Sequence, residues 1–187
     1  LLSGTKKFFK AILSTKAYPA FAETISYSNK VFGQFIRGKI IDSTIVGFLL
    51  YISLLIVGIP FGGIPFSGIV SLFVAASNII PYFGPFIGAV PSFLLIFMAD
   101  PIKAFIFLVV LLIVQQLDAN FIDPKIVGDS VALSALWVIT AVTVFGGIFG
   151  ILGMFLAVPI FTVVYNYVKK AVEKRLATRG LPQDTIF

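Results

Sequence analysis

Apolar and polar positions separate along this chain into a long uncharged middle between two charged ends. Ser43 to Ala99 is 57 residues without a charged side chain, and Ser130 to Val168 is another 39. At about 1.5 Å per residue the first stretch is roughly 85 Å of helix, nearly three crossings of a roughly 30 Å hydrocarbon core. The second gives roughly two crossings, and Ile102–Leu117 between them supplies one more, with Lys103 close enough to its end to snorkel. Six apolar segments are therefore predicted, and no alternation of period two marks a strand.

The segments differ in kind. Ser43–Ile59 is an unbroken run closed by Pro60, Gly62, Gly63 and Pro65, the pattern of a simple crossing. Phe66–Ile80 and Phe86–Ala99 are short, are parted by Pro81-Tyr82-Phe83-Gly84-Pro85, and the second contains Gly88 and Pro91. Leu133–Val144 and Met154–Val168 are parted by a glycine-rich stretch with Gly146, Gly147, Gly150 and Gly153, and the latter contains Pro159. Paired short segments broken by glycine and proline point to broken or re-entrant helices lining a transport path. Two plain helical hairpins with loops near the surface are the alternative.

Composition agrees with the pattern. The 187 residues are 59% hydrophobic and 12% charged, far from the balance of a water-soluble domain. Six charges fall in residues 43–168, whereas the flanks hold twelve Lys/Arg against four Asp/Glu. Basic flanks and an even number of segments place both ends of the chain in the cytoplasm. The organisation expected is 1–42 as amphipathic, basic, membrane-proximal helices, 43–168 as a transmembrane transport domain, and 169–187 as a cytoplasmic tail. In the first part, Lys6–Leu13 sets apolar residues beside three lysines, and Phe21, Ile25, Phe32, Phe35 and Ile36 form a stripe. Basic residues spread over membrane flanks, without a reading motif, give no nucleic-acid surface. Beginning at Leu1 with no signal peptide, the chain is expected to be a piece of a longer protein.

Several chemistries are excluded by the residues themselves. Cysteine and histidine are absent, which removes disulfides, thiolate or imidazole metal sites, and serine–histidine or His-Glu-x-x-His catalysis. Val127-Gly128-Asp129 lacks the Gly-x-Gly-Asp of membrane aspartyl proteases, and there is no phosphate-binding loop. The expectation is a non-enzyme without cofactor or metal, driven by a gradient.

The polar stretch from Gln115 to Gly128 holds the candidate chemistry. On a regular helix Gln116, Asn120 and Asp123 fall at i, i+4 and i+7 on one face, with Asp118 displaced beside them. Gln115, Gln116, Asp118, Asn120, Asp123 and Lys125 are thus candidates for a solute or cation path, since polar groups at membrane depth face a cavity or a partner. A hydrated helix end is the plainer alternative. Asn78 and Tyr82, beside the Pro81 break, are candidates for hydrogen bonding with backbone carbonyls freed there.

Three motifs carry a resemblance: Asn-Ile-Ile-Pro-Tyr-Phe-Gly-Pro-Phe-Ile-Gly-Ala-Val-Pro (78–91), Gln-Gln-Leu-Asp-Ala-Asn-Phe-Ile-Asp-Pro-Lys-Ile-Val-Gly (115–128) and Phe-Gly-Ile-Leu-Gly-Met-Phe-Leu-Ala-Val-Pro (149–159). Together with Phe-Ile-Arg-Gly-Lys-Ile-Ile-Asp-Ser (35–43), they resemble the AI-2E family of bacterial inner-membrane proteins, over nearly all of residues 30–168. The resemblance marks Pro81, Gly84, Pro85, Gly88 and Pro91, then Gln115, Gln116, Asn120, Pro124, Lys125 and Gly128, then Gly150, Gly153 and Pro159. It implies the C-terminal part of a longer transporter, a homo-oligomer of five copies, and export of a small polar solute such as the autoinducer-2 signal. Sodium/proton antiport through Asp118 or Asp123, and a non-transporting membrane scaffold, are the rival expectations.

Overall fold

The computed structural model describes residues 17–126 and 133–178; the Lys6–Leu13 helix, Gly128 and the last nine residues lie outside them. Among the described residues all regular structure is helical. Helix α1, Ala17–Gly58, runs 42 residues without interruption, roughly 63 Å. It joins the amphipathic stretch to the first apolar run, so there is no break at 42/43. Single glycines at 33, 38 and 47 weaken a helix without ending it, whereas Pro60 removes a donor and ends the regular turn. A 3-10 turn, Ile59–Phe61, follows, with Gly62 in the left-handed region at φ 71.

Helix α2, Ser67–Asn78, returns along α1, and α3, Gly84–Ala99, reverses again. Their turn includes Tyr82 at φ 62. The two helices meet where glycine leaves room: a Cβ on Gly84 would stand 2.1 Å from the Ser77 carbonyl oxygen, and one on Gly88 2.9 Å from Val74 Cα. Helix α4, Pro101–Leu117, is capped by Asp100, whose carboxylate accepts from the backbone N–H of Ile102 at 3.0 Å and of Lys103 at 3.2 Å. A π-helical turn, Asp118–Ile122, leads into the short α5, Asp123–Ile126.

The second half of α1 and α2, α3 and α4 form an up-down-up-down bundle. Its core is Val46, Leu50 and Leu54 of α1, Val70 and Val74 of α2, Ile96 of α3, and Phe107, Leu111 and Val114 of α4.

Helix α6, Ala135–Thr178, folds back on itself at Gly150, where φ 62 and ψ −146 belong to a region essentially reserved for glycine. Trp137 stacks on Phe161 with ring centroids 5.4 Å apart, although a straight helix would hold those residues roughly 36 Å apart. A Cβ on Gly153 would sit 2.1 Å from the Phe145 carbonyl oxygen, so this hairpin closes as tightly as the first. The second arm runs antiparallel to the first half of α1. Phe155 meets Phe35 at 6.0 Å, Asn166 donates to the Tyr27 hydroxyl, and Lys170 pairs with Glu23 at 3.2 Å.

Of the predicted helix breaks, the structure keeps the 79–83 turn and Gly150. Pro91 and Pro159 instead lie inside helices, since neighbouring turns carry the helix past the single backbone donor each one lacks. Gly84, Gly88, Gly146 and Gly153 permit close approach between helix arms: a Cβ on Gly146 would fall 2.7 Å from Met154. Gly147 faces open space.

Among the described residues, three helical stretches are long and apolar enough to cross a membrane: Glu23–Phe61, Pro101–Ile126 and Ala135–Glu173, the last folded at Gly150. The shorter α2 and α3 are apolar too. Large apolar side chains cover the outside, with Met98 87% exposed and Phe48, Leu72, Phe86, Ile102 and Leu112 each more than half exposed. In water such a surface would be costly; in lipid it is the surface required. The chain is an all-α helical membrane protein.

Candidate transport site

The bundle ends on a buried charged network that draws on four separate elements. Lys39 and Asp42 lie one turn apart in the middle of α1, Asn78 is the last residue of α2, Asp118 opens the π-helical turn, and Asp123 begins α5. Lys39 Nζ donates to Asp42 Oδ2 at 3.0 Å and to Asp123 Oδ1 at 2.6 Å. Asn78 Nδ2 lies 3.4 Å from both Asp42 Oδ2 and Asp118 Oδ2, so one amide ties two carboxylates from different helices together.

Burial makes this arrangement consequential. Asp42 is fully enclosed, Asn78 is 3% exposed, and Lys39 and Asp118 are each 6% exposed. Asp123 is half-buried and closes the network toward its outer side. Three carboxylates face one ammonium, a formal charge of −2 when all four groups are ionised. Asp42 Oδ1 and Asp118 Oδ1 accept no hydrogen bond from the polypeptide. Buried carboxylates with spare acceptor oxygens and an incomplete counter-charge are costly to keep at such a position. Among the described residues, no group of acidic side chains has the arrangement of a metal-ion site.

Of the candidates read from the sequence, Asn78, Asp118 and Asp123 come together here. The expected stripe of Gln116, Asn120 and Asp123 does not form. The π-helical turn widens the helix after Leu117 and shifts the register, so Asp118 turns inward and Asp123 swings to Lys39. Gln116 and Asn120 are exposed and bond to each other, Asn120 Nδ2 donating to Gln116 Oε1 at 3.2 Å and to its carbonyl at 2.7 Å. Lys125 is exposed, and so is Tyr82, which shapes the turn and does not bond inward. Gln115, one turn before Asp118, is half-buried, with its Nε2 enclosed and unpartnered. Asn78 donates to carboxylates and not to carbonyls freed by proline.

Lys39 and Asp42 were not among the candidates, having been counted with the basic flank. Their i, i+3 spacing at the edge of the uncharged run was the available signal.

Buried carboxylates in an apolar helical bundle are a feature that membrane transport proteins use. Comparison agrees: the profile described as AI-2E family transporter matches residues 1–173, and the chain belongs to that family. It is similar to two candidate transport proteins of Bacillus subtilis (strain 168). YueF is 44% identical over 96 residues, 51% of this chain and 26% of YueF. YrrI is 39% identical over 128 residues, 68% of this chain and 35% of YrrI. The candidate permease PerM of Escherichia coli (strain K12) is 40% identical over 55 residues, 29% of this chain and 16% of PerM. The matched regions thus span about a quarter to a third of the two Bacillus relatives. No solved structure matches the chain.

Proposed function

We propose that the protein to which this chain belongs is a gradient-driven transporter, and that the Lys39–Asp42–Asn78–Asp118–Asp123 network exchanges a proton for a small monovalent cation such as sodium. The observation that carries this reading is the junction of Asp42 and Asp118 on one amide, both buried, with Lys39 paired to Asp42 and Asp123 and not to Asp118. A carboxylate that releases a proton gains a cation-binding oxygen, so exchange needs no other chemistry. The non-enzymatic role, the bacterial inner membrane, cytoplasmic flanks and a five-copy homo-oligomer belong to the same proposal, and none requires a cofactor.

Export of a small polar solute, autoinducer-2 being the one the family is named for, is the second reading. The half-buried Gln115 amide supports it; the outward-facing Gln116 and Asn120 do not.

The test is sodium-dependent dissipation of a pH gradient in vesicles carrying the full-length protein. Asp118→Asn and Asp42→Asn are expected to abolish exchange, while Asn120→Ala leaves it intact. Unchanged exchange in both aspartate variants would overturn the assignment. Uptake of autoinducer-2 that fails only in Gln115→Ala would favour the solute reading.

A further inference from the structure

Lys39 is shared by two carboxylates in unlike surroundings. Asp42 Oδ2 accepts from its Nζ at 3.0 Å, one turn away on the same helix, and Asp123 Oδ1 accepts at 2.6 Å from the start of α5, 84 residues further along the chain. The Asp42 side chain has no exposure to solvent, whereas that of Asp123 is 40% exposed. An unpaired Asp42 carboxylate is therefore costly, while water already solvates part of Asp123 and makes its pairing nearly optional.

Asp42 has one oxygen engaged and one open. Its Oδ2 meets Lys39 and the Asn78 amide, and its Oδ1 is enclosed and accepts nothing from the polypeptide. Asp118 repeats the pattern, with Oδ2 on the same amide and Oδ1 enclosed and open. A cation that takes the open oxygen of Asp42 stands on the carboxylate that already holds an ammonium. Two positive charges on one enclosed carboxylate repel each other, because solvent and salt screen them poorly there. Lys39 has somewhere to go. Its shorter contact is to Asp123, so Nζ can give up Asp42 and stay paired without crossing apolar space.

We propose that Lys39 is a tethered counter-ion that competes with the transported cation for Asp42. It neutralises Asp42 while no cation is bound, and shifts wholly onto Asp123 when a cation arrives. The proposal rests on the exchange reading and adds to it what sets cation affinity: Asp42 and Asp118 bind, Lys39 opposes binding, and Asp123 draws Lys39 away. Neither state leaves the buried Asp42 without a positive partner. Since Lys39 belongs to α1 and Asp123 to α5, the shift also strengthens the ion pair that joins those two elements when a cation is held. An ion pair that only fastened α5 to α1 would leave cation affinity alone, and that difference is measurable.

The experiment is the sodium KM and maximal rate of exchange in vesicles carrying the full-length protein, at about pH 8.5, well above the ordinary carboxylate range, so that lysine and not the proton is the main competitor. Lys39→Met removes the competitor and should lower the sodium KM roughly tenfold, whereas Lys39→Arg keeps the charge and should not lower it. Asp123→Asn leaves the ammonium on Asp42 and should raise the KM roughly two- to fivefold, the weight of a half-exposed ion pair, with the maximal rate little changed. Lys39→Met/Asp123→Asn should show the KM of Lys39→Met, because Asp123 acts only through the lysine. Asp123→Asn alters only a half-exposed partner and decides the matter if Lys39→Met does not assemble. A sodium KM unchanged in Asp123→Asn, a KM raised in Lys39→Met, or independent effects in the double variant would each overturn the proposal. Asp42→Asn and Asp118→Asn are measured beside them. Exchange surviving in both defeats the underlying reading, whereas exchange lost in both, with the KM unmoved in Asp123→Asn, defeats the competition alone.

Discussion

Replacing Lys39 with methionine tests the network most directly. The substitution nearly keeps the length of the side chain and removes the ammonium that pairs with Asp42 and Asp123. Asp42 then loses its ammonium partner in a position with no exposure to solvent. Removing one partner of a buried pair costs about 3–5 kcal/mol, because the remaining charge is neither solvated nor paired. Most of that comes from the Asp42 side. The Asp123 carboxylate is 40% exposed, and a bridge so open to solvent contributes about 0–1 kcal/mol. Asp42→Asn alone, which leaves Lys39 its bridge to Asp123, should cost less. In Lys39→Met/Asp42→Asn no unpaired charge remains on that pair, and the double variant should regain at least about 1 kcal/mol against the sum of the single ones. The measurement is reversible unfolding of the full-length protein in detergent micelles, taken through this double-mutant cycle. Single-variant losses that add to within about 0.5 kcal/mol would show that Lys39 and Asp42 do not interact as drawn, and would refute the network.

Other expectations concern the hairpins and the bridging amide. Gly84→Ala and Gly153→Ala each force a Cβ to within 2.1 Å of a carbonyl oxygen and should destabilise by about 1–3 kcal/mol or more, whereas Gly147→Ala meets nothing and should stabilise by up to about 1 kcal/mol; thermal unfolding separates them. Gly150→Ala should cost about 1–3 kcal/mol, since no other residue readily adopts that backbone conformation. Cysteines placed at Trp137 and Phe161 in the naturally cysteine-free chain should cross-link on oxidation, and failure to do so would favour a straight helix over the fold at Gly150. Asn78→Leu removes the donor shared by Asp42 and Asp118 and should cost about 1–3 kcal/mol on unfolding, with a loss equal to that of a surface leucine substitution counting against the bridge.

The six apolar segments were legible because missing charge is a local property of the chain, and lipid demands it residue by residue. The two hairpins were legible as places, from Pro81 to Pro85 and from Gly146 to Gly153, but not in their geometry. Four glycines in the later stretch are equivalent on paper; only the backbone shows that Gly150 turns while Gly146 and Gly153 make room. Asp118 and Asp123 stood out as charges in an uncharged setting. Lys39 and Asp42 did not, since Lys39 lies 84 residues from Asp123 and Asp42 lies 36 from Asn78. Such pairings are set by how the bundle closes. Gln116 and Asn120 were misplaced for a physical reason: face assignment assumed 3.6 residues per turn through a segment that takes a wider π-helical turn. Pro91 and Pro159 read as breaks because proline removes a donor, yet the helix continues when the turns on either side hold it.

Helix α1 ties the two halves of the molecule into one mechanical piece. Its lower half carries the C-terminal hairpin, its upper half carries the other three bundle helices, and no loop between them absorbs movement. Lys39 and Asp42 sit near the crossover from one set of neighbours to the other. The ion pair therefore lies where the hairpin and the bundle both load the same stretch of backbone.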